Sequence, residues 1–461
     1  MVELTIIEAL NLAAKNHNEG KLKEAETIYR KILEKDSSNH NAIHLLGLID
    51  YQSGRYKEAV EKINKAVELN PNTAIYHGNL AMAYDKIGEE EESAKNFIKA
   101  LSINPTYDKA YLAHYNLGIY FKDKGRFYEA LEHYNKSIEL NNNFFEAHWN
   151  KSLILLLLGK FDEGWKEYEY RFKKENPIDS RKFNKQKWEG SSLKNKKILI
   201  VSEQGFGDNI QFIRYLALIK EKQGYIILEC KKELKKLFET LSYVDKIIEK
   251  ENKIPNIDFD FYIHLMSLPM LFKTNLNNLP NKPPYLKINA NLSNELKEKL
   301  TGKFKIGMVW KGNPKHPDDK NRSIDFNKFK TLIDKFKLFK NISLFSLQKN
   351  AEDNSEGLKN YSITDLSSYI NDFVDTASII KELDLVISVD TSVAHLTGAL
   401  DKPVWTLLSF IPDFRWMLNR DDSPWYPNMK LFRQPKPGDW DSVFEKIIIE
   451  LKDVLNSAIQ H

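Results

Sequence analysis

The chain has 461 residues, more than one hydrophobic core normally serves, so two or three domains are expected. Its 42% hydrophobic and 29% charged residues are those of an ordinary globular protein, and a formal charge of +4 does not suggest a nucleic-acid partner. One cysteine, Cys230, excludes an intrachain disulfide and a cysteine-cluster metal site.

The first third is periodic. Gly20, Gly54, Gly88, Gly125 and Gly159 stand 34, 34, 37 and 34 residues apart. Five residues after each comes a small side chain (Ala25, Ala59, Ser93, Ala130, Gly164) and nine after it a large one (Tyr29, Ile63, Phe97, Tyr134, Tyr168). A glycine in a turn, a small residue where helices cross, and Pro71 and Pro105 after the second helix describe a repeated helix-turn-helix unit. These residues resemble the tetratricopeptide repeat, with five copies over residues 1–172. The resemblance implies a concave surface that could hold a partner or an acceptor. The three extra residues of the fourth unit, near Tyr111–Tyr115, are expected in its first helix or the loop before it. The start of the chain carries neither a basic region nor a cleavable apolar segment, and the longest aliphatic run, Leu153–Leu158, is too short to span a bilayer; a cytoplasmic location is expected.

Residues 173–197, rich in Lys, Asn and Ser, read as a connector. Beyond it short apolar strands alternate with helices, the pattern of a parallel sheet. Strands are expected at 198–201, 225–229, 246–248 and 259–263, with helices at 208–221 and 232–241. Cys230 ends one of these apolar runs and reads as a buried strand residue. The lysines of 231–236 read as a charged outer helix face. Pro and Asn cluster over 275–284. A second succession comes next, with strands at 305–310, 342–346, 383–389 and 404–408 and helices at 327–336, 391–400 and 440–455. The lobes are placed at 198–300 and 301–461, with strand C-termini facing a shared cleft.

Three segments could carry chemistry. Gly205, Phe206, Gly207, Asp208 and Asn209 come after the first strand. Two glycines suit a tight turn near a ligand, but Ile210 stands where a dinucleotide fingerprint needs its third glycine. Asp208 has two readings: a helix cap, or a carboxylate able to take a proton from an acceptor hydroxyl. The loop after the 305–310 strand carries Lys311, Gly312, Asn313, Lys315, His316, Lys320, Arg322 and Ser323, which suits an anionic ligand. Asp318 and Asp319 make a solvated surface loop an equal alternative. Asp390, Thr391, Ser392 and His395 stand at a strand end and helix start, where amides and hydroxyls offer an anion pocket and Asp390 can accept from hydroxyls. A nucleotide sugar fits that mixture. No paired-histidine zinc motif accompanies His395, and Asp258 and Asp260 fall in an alternating strand, so neither a metal nor another cofactor is expected.

Gly205–Asp208, Trp310–Pro314, Arg322–Ser323 and Asp390–His395, then Pro412–Trp416 and Ser423–Pro427, resemble bacterial tetratricopeptide-repeat glycosyltransferases related to glycosyltransferase family 9, the lipopolysaccharide heptosyltransferases. The resemblance implies a GT-B fold of two Rossmann-like lobes after the α-solenoid, and metal-independent inverting transfer from a nucleotide sugar. It implies Asp208 as the base, Gly205, Gly207 and Asn209 in the acceptor loop, and Asp390, Thr391, Ser392 and His395 on the donor side. Ser392 replaces the family's glycine, which opens the choice of donor. Lys311 and Lys320 are both candidates for the phosphate lysine. The acceptor is expected to be a protein, a glycan or a lipid-linked molecule, between which the sequence does not choose. Two alternatives stand beside this reading: a non-catalytic scaffold with a degenerate transferase half, and a protein O-N-acetylglucosamine-transferase-like enzyme.

Overall fold

The structure is a computed structural model that describes residues 4–280, 282–288, 292–349 and 355–459. Residues 1–3 of the N-terminal sequence and residue 281 of the Pro/Asn-rich segment lie outside the described residues. The chain forms two compact units, Met1–Lys151 and Ser152–His461.

The repeats fold as helix pairs: α1 (Ile6–Asn18), α2 (Leu22–Lys35), α3 (His40–Gln52), α4 (Tyr56–Leu69), α5 (Ala74–Lys86), α6 (Glu90–Ile103), α7 (Ala110–Asp123), α8 (Phe127–Leu140), α9 (Phe145–Leu157) and α10 (Phe161–Tyr168). The five marker glycines adopt φ between 74° and 81°, the left-handed conformation that ends the first helix of each pair. Ala25, Ala59 and Ala130 are fully buried where the helices cross, and Tyr29, Ile63 and Tyr134 fill the space beyond them. The three extra residues of the fourth unit divide between both expected places. Its first helix, α7, has 14 residues where α5 has 13, and residues 104–109 take the place of the shorter link 70–73. The break between the compact units falls inside α9, so α10 belongs to the second unit.

In the second unit, residues 173–197 are more than a connector. They contribute β1 (Gln186–Lys187), the buried Trp188, and Arg181, which reaches Asp179 and Glu229 at 2.8 Å each. β1 joins β2 (Lys197–Val201), β3 (Tyr225–Cys230), β4 (Lys246–Glu249) and β5 (Phe261–His264) in a parallel sheet of order β1-β5-β2-β3-β4. The expected helix 208–221 is interrupted. α11 (Phe206–Phe212) passes through a 3-10 turn, Ile213–Tyr215, into α12 (Leu216–Lys220). There the Gln211 carbonyl accepts from Arg214 Nε at 2.7 Å, a side chain competing for the backbone acceptor. α13 (Lys232–Phe238) and α14 (Leu268–Leu271) complete the first lobe. Three of the lysines of 231–236 are engaged: Lys231 with the Gln204 carbonyl, Lys235 with Glu249, and Lys236 with Asp372 of the second lobe. Cys230 is fully buried, and burial pushes its thiol up to about 12.

After α15 (Asn294–Lys299), at the end of the 198–300 segment, the second lobe contains β6 (Phe304–Val309), α16 (Asp319–Arg322), α17 (Phe326–Phe336), β7 (Ile342–Ser346), α18 (Ser355–Asn360), β8 (Ile363–Asp365), α19 (Phe373–Glu382), β9 (Leu385–Val389), α20 (Ser392–Ala399), β10 (Val404–Leu408), β11 (Met429–Arg433) and α21 (Trp440–Ile459). Its parallel sheet runs β11-β10-β9-β6-β7-β8. β9 and β10 are buried at every position, as strands covered on both faces must be. Chain order reverses between β6 and β9, which opens a crevice at their C-terminal ends. β8, α19 and β11 fall where the sequence offers only short or mixed patterns.

Candidate functional site

Two strand-to-helix junctions converge from the two lobes. In the first, Asp208 is the third residue of α11, and its Oδ2 accepts from the Gly205 amide at 2.7 Å. The cap reading is therefore correct for one oxygen. The other oxygen, Oδ1, pairs with Arg415 Nη2 of the second lobe. Burial raises the Asp208 carboxyl above the usual range, while Arg415 draws it back.

The glycines here do something other than expected. Neither Gly205 nor Gly207 has positive φ; the left-handed residue of the turn is Gln204, at φ 63°. A side chain on Gly207 would come within 2.7 Å of His395 Cδ2, so this glycine permits close approach of α11 to α20. Asn209, expected to face an acceptor, turns inward. It is fully buried and its Nδ2 donates to the Glu203 and Gly205 carbonyls, fixing the turn.

The second junction lies at the β6/β9 crevice. The loop after β6 is partly helical, because α16 brings Arg322 round to donate from Nη1 to the Asp390 carbonyl at 2.9 Å. Ser323 accepts from the Gly312 amide and donates to Asp319, each at 2.8 Å, and Arg322 Nε reaches Asp319 at 3.3 Å. Asn313 accepts from the Lys315 amide and stays at the surface. Lys311 and Lys320 are both exposed, and geometry does not choose between them. Thr391 caps α20 through Oγ1, and Ser392 opens the helix.

Asp390 accepts from Trp416 Nε1 at 2.8 Å. Burial, with the nearby Asp413 charge, pushes its carboxyl up to about 6. His395 is buried, stacks on Trp416 with ring centroids 5.1 Å apart and meets Tyr426 OH at 3.0 Å. Burial and Arg415 hold it neutral, well below the ordinary histidine range.

The residues that local sequence reasoning missed lie on one turn. Asp413 caps the 3-10 turn Phe414–Trp416 and takes Arg415 Nη1 at 2.6 Å; Arg415 spans to Asp208; Trp416 spans to Asp390. Nothing in periodicity flags them, and only their place in the Pro412–Trp416 motif pointed there. Asp258 and Asp260 lie apart and pair with Lys197 and Lys196. Among the described residues no group of three His, Cys, Asp or Glu side chains converges to hold a metal ion, and no helix is long and apolar enough to cross a membrane.

Residues 271–434 match glycosyltransferase family 9 (heptosyltransferase), and residues 47–88, 74–107 and 111–144 match tetratricopeptide repeats. The chain is a tetratricopeptide-repeat protein with a family 9 glycosyltransferase domain. It is 25% identical over 429 residues to Protein FlbA of Caulobacter vibrioides, covering 87% of this chain and 70% of that one. It is also 25% identical over 166 residues to the "Probable UDP-N-acetylglucosamine--peptide N-acetylglucosaminyltransferase SPINDLY" of Hordeum vulgare, covering 35% of this chain and 18% of that one. Among solved structures it is similar to MamA, at 26% identity and a TM-score of 0.31, over 34% of this chain and 91% of MamA. The glycosyltransferase domain contains the β6/β9 crevice, Arg322, Asp390 and Arg415, whereas Asp208 precedes it.

Proposed function

We propose that this glycosyltransferase performs metal-independent inverting transfer from a nucleotide sugar to an acceptor hydroxyl, with Asp208 as the base. The observation that carries the reading is the position of the Asp208 carboxylate, at a helix start of one lobe and against the donor-side turn of the other. The donor's diphosphate would lie at the β6/β9 crevice, against the N-terminus of α20 and Arg322. There fixed positive charge and helix amides stabilise the departing nucleoside diphosphate in the way a divalent ion does elsewhere. Asp390 is suited to a sugar or ribose hydroxyl, since its raised carboxyl favours hydrogen bonding over phosphate repulsion.

Asp208→Asn tests the base. Turnover should fall by about two to four orders of magnitude, the usual worth of a positioned base, with the fold intact. Unchanged turnover removes Asp208 from that role. Activity should persist in EDTA and fall in Arg322→Ala; a requirement for added magnesium or manganese would refute metal independence. The acceptor we favour is a polypeptide, because repeat solenoids are binding modules and a relative carries a peptide transferase name.

A further inference from the structure

Arg415 touches both the expected base and the donor-side turn. It is 9% exposed in its side chain, and its Nη2 and Nη1 are bound to Asp208 and Asp413. The third edge of the guanidinium is unspent: Nε is buried and has no hydrogen-bond partner among the described residues. Two residues before it and one after it the same turn carries Asp413 and Trp416, and Trp416 donates to Asp390 at the mouth of the β6/β9 crevice. The fork therefore sits beside the place assigned to the diphosphate, close enough for its charge to act on Asp390.

We propose that Arg415 is a positioning residue that couples the base to the donor: the guanidinium that orients Asp208 is also one that a diphosphate draws on, so each weakens the hold of the other. This rests on the transferase reading above. A guanidinium meets carboxylate and phosphate by the same planar geometry, so the two anions compete for its donors. Diphosphate binding then loosens Asp208 from Arg415 and leaves a more basic carboxylate, turned toward the acceptor, at the moment the donor is in place. Reciprocity requires that loss of the Asp208 charge strengthens diphosphate binding by the same factor.

The charges around Asp208 bear on the pH behaviour. Arg415 and Asp413 face it from the Phe414–Trp416 turn, Glu203 from the end of β2, Tyr168 from α10, His316 from the loop after β6, and His395 from α20 beneath Gly207. Glu203 is paired with Arg171, burial and Arg415 hold His395 neutral, and desolvation with the Arg322 charge lowers His316, which lies at the surface. Arg415 is the cation that opposes the upward push of burial on Asp208.

The experiment is calorimetric titration of the full chain with ADP, GDP and UDP. The nucleotide that binds the unaltered protein should bind Asp208→Asn about tenfold more tightly and Arg415→Gln about tenfold more weakly. Asp208→Asn added to Arg415→Gln should give no gain, the non-additivity that marks a shared partner. Arg415→Lys, which keeps the charge without the fork, serves if the Gln variant fails to fold, and it should also lose the coupling. In kcat/KM profiles the acid limb should move to higher pH in Arg415→Gln, which removes the cation, and much less in Arg415→Lys, which keeps it. Equal nucleotide affinity in Asp208→Asn and the parent, or an acid limb unmoved in Arg415→Gln, overturns the coupling, whatever the turnover of Asp208→Asn says about the base. If none of the three nucleotides binds, the donor reading fails and the coupling with it.

Discussion

Arg171 offers a measurement of how far the last repeat belongs to the transferase. It lies in the 3-10 turn Glu169–Phe172 directly after α10, is 1% exposed, and binds Glu203 through two bonds of 2.8 Å. Glu203 stands at the end of β2, beside the β5 end, where the order of the first sheet reverses. Its Oε1 also accepts from the Met266 amide at 3.0 Å, and Arg171 reaches Glu169 and Ser267 as well. Replacing Arg171 by Met keeps the stem and leaves the Glu203 charge buried without its partner. Breaking such a pair costs about 3–5 kcal/mol, because the desolvation of the remaining charge is no longer offset. Neutralising the partner too, as Arg171→Met with Glu203→Gln, removes the charge but keeps an acceptor for Met266, and should recover more than half of the loss. Urea unfolding of the three variants, with the slope held constant, gives the comparison. A single-variant loss under about 1 kcal/mol, the size of an exposed ion pair, or a double variant as unstable as the sum of the singles, would refute the argument.

Other variants probe the same geometry. A chain beginning at residue 152 retains α10 and the Arg171 pair and should fold cooperatively, whereas one beginning at 173 loses both and should unfold at markedly lower urea. With the 152 version, a repeat-guided acceptor predicts that transfer collapses while donor hydrolysis survives; equal loss of both would mean the repeats only stabilise. Gly207→Ala should cost about 1–2 kcal/mol, since overpacking against the fixed His395 ring outweighs the helix-propensity gain; unchanged thermal stability would refute the close approach. Asp390 titrates near 6 in the folded chain against near 3.9 unfolded, so it binds more protons when folded and its contribution to stability declines as pH rises from about 4 to 6. Asp390→Asn should then be more stable than the parent above pH 6, by an amount on the order of 1–3 kcal/mol, and equal stability at pH 5 and pH 8 would contradict the raised carboxyl.

Features legible in the sequence and features hidden from it separate by range. The turn glycines repeat because each helix pair needs a left-handed residue at the same place, a local demand that periodicity reports directly. Strands such as β9 and β10 are legible because burial on both faces leaves mostly apolar residues, with Ser388 and Thr406 the exceptions. Asp208 is legible as a helix-start acid, and its cap is real, but its Arg415 partner lies 207 positions away and no spacing rule reaches that far. Gly207 reads as ligand-facing flexibility because the His395 ring that requires it comes from another helix. Residues 173–197 read as a linker since polar composition marks solvent only when no partner waits; Arg181, Asp179 and Glu229 satisfy one another inside.

Buried guanidinium forks stand at the junctions of the second unit. Arg171 answers Glu203 at the reversal point of the first sheet, Arg415 joins Asp208 to Asp413, and Arg214 donates from Nη1 to the Trp425 carbonyl at 2.7 Å and from Nη2 to Tyr285 at 2.9 Å. A buried ion pair contributes little net stability compared with apolar packing, but it penalises every arrangement in which one partner is left alone. Arg415 and Arg214 join the two lobes, and of these Arg415 is held by carboxylates, for which another anion can be exchanged. A diphosphate is such an anion. For the coupling proposed above, in which a carboxylate is positioned before transfer and released during it, an arginine serves better than a hydrophobic contact, because only the arginine can change partners without being left uncompensated.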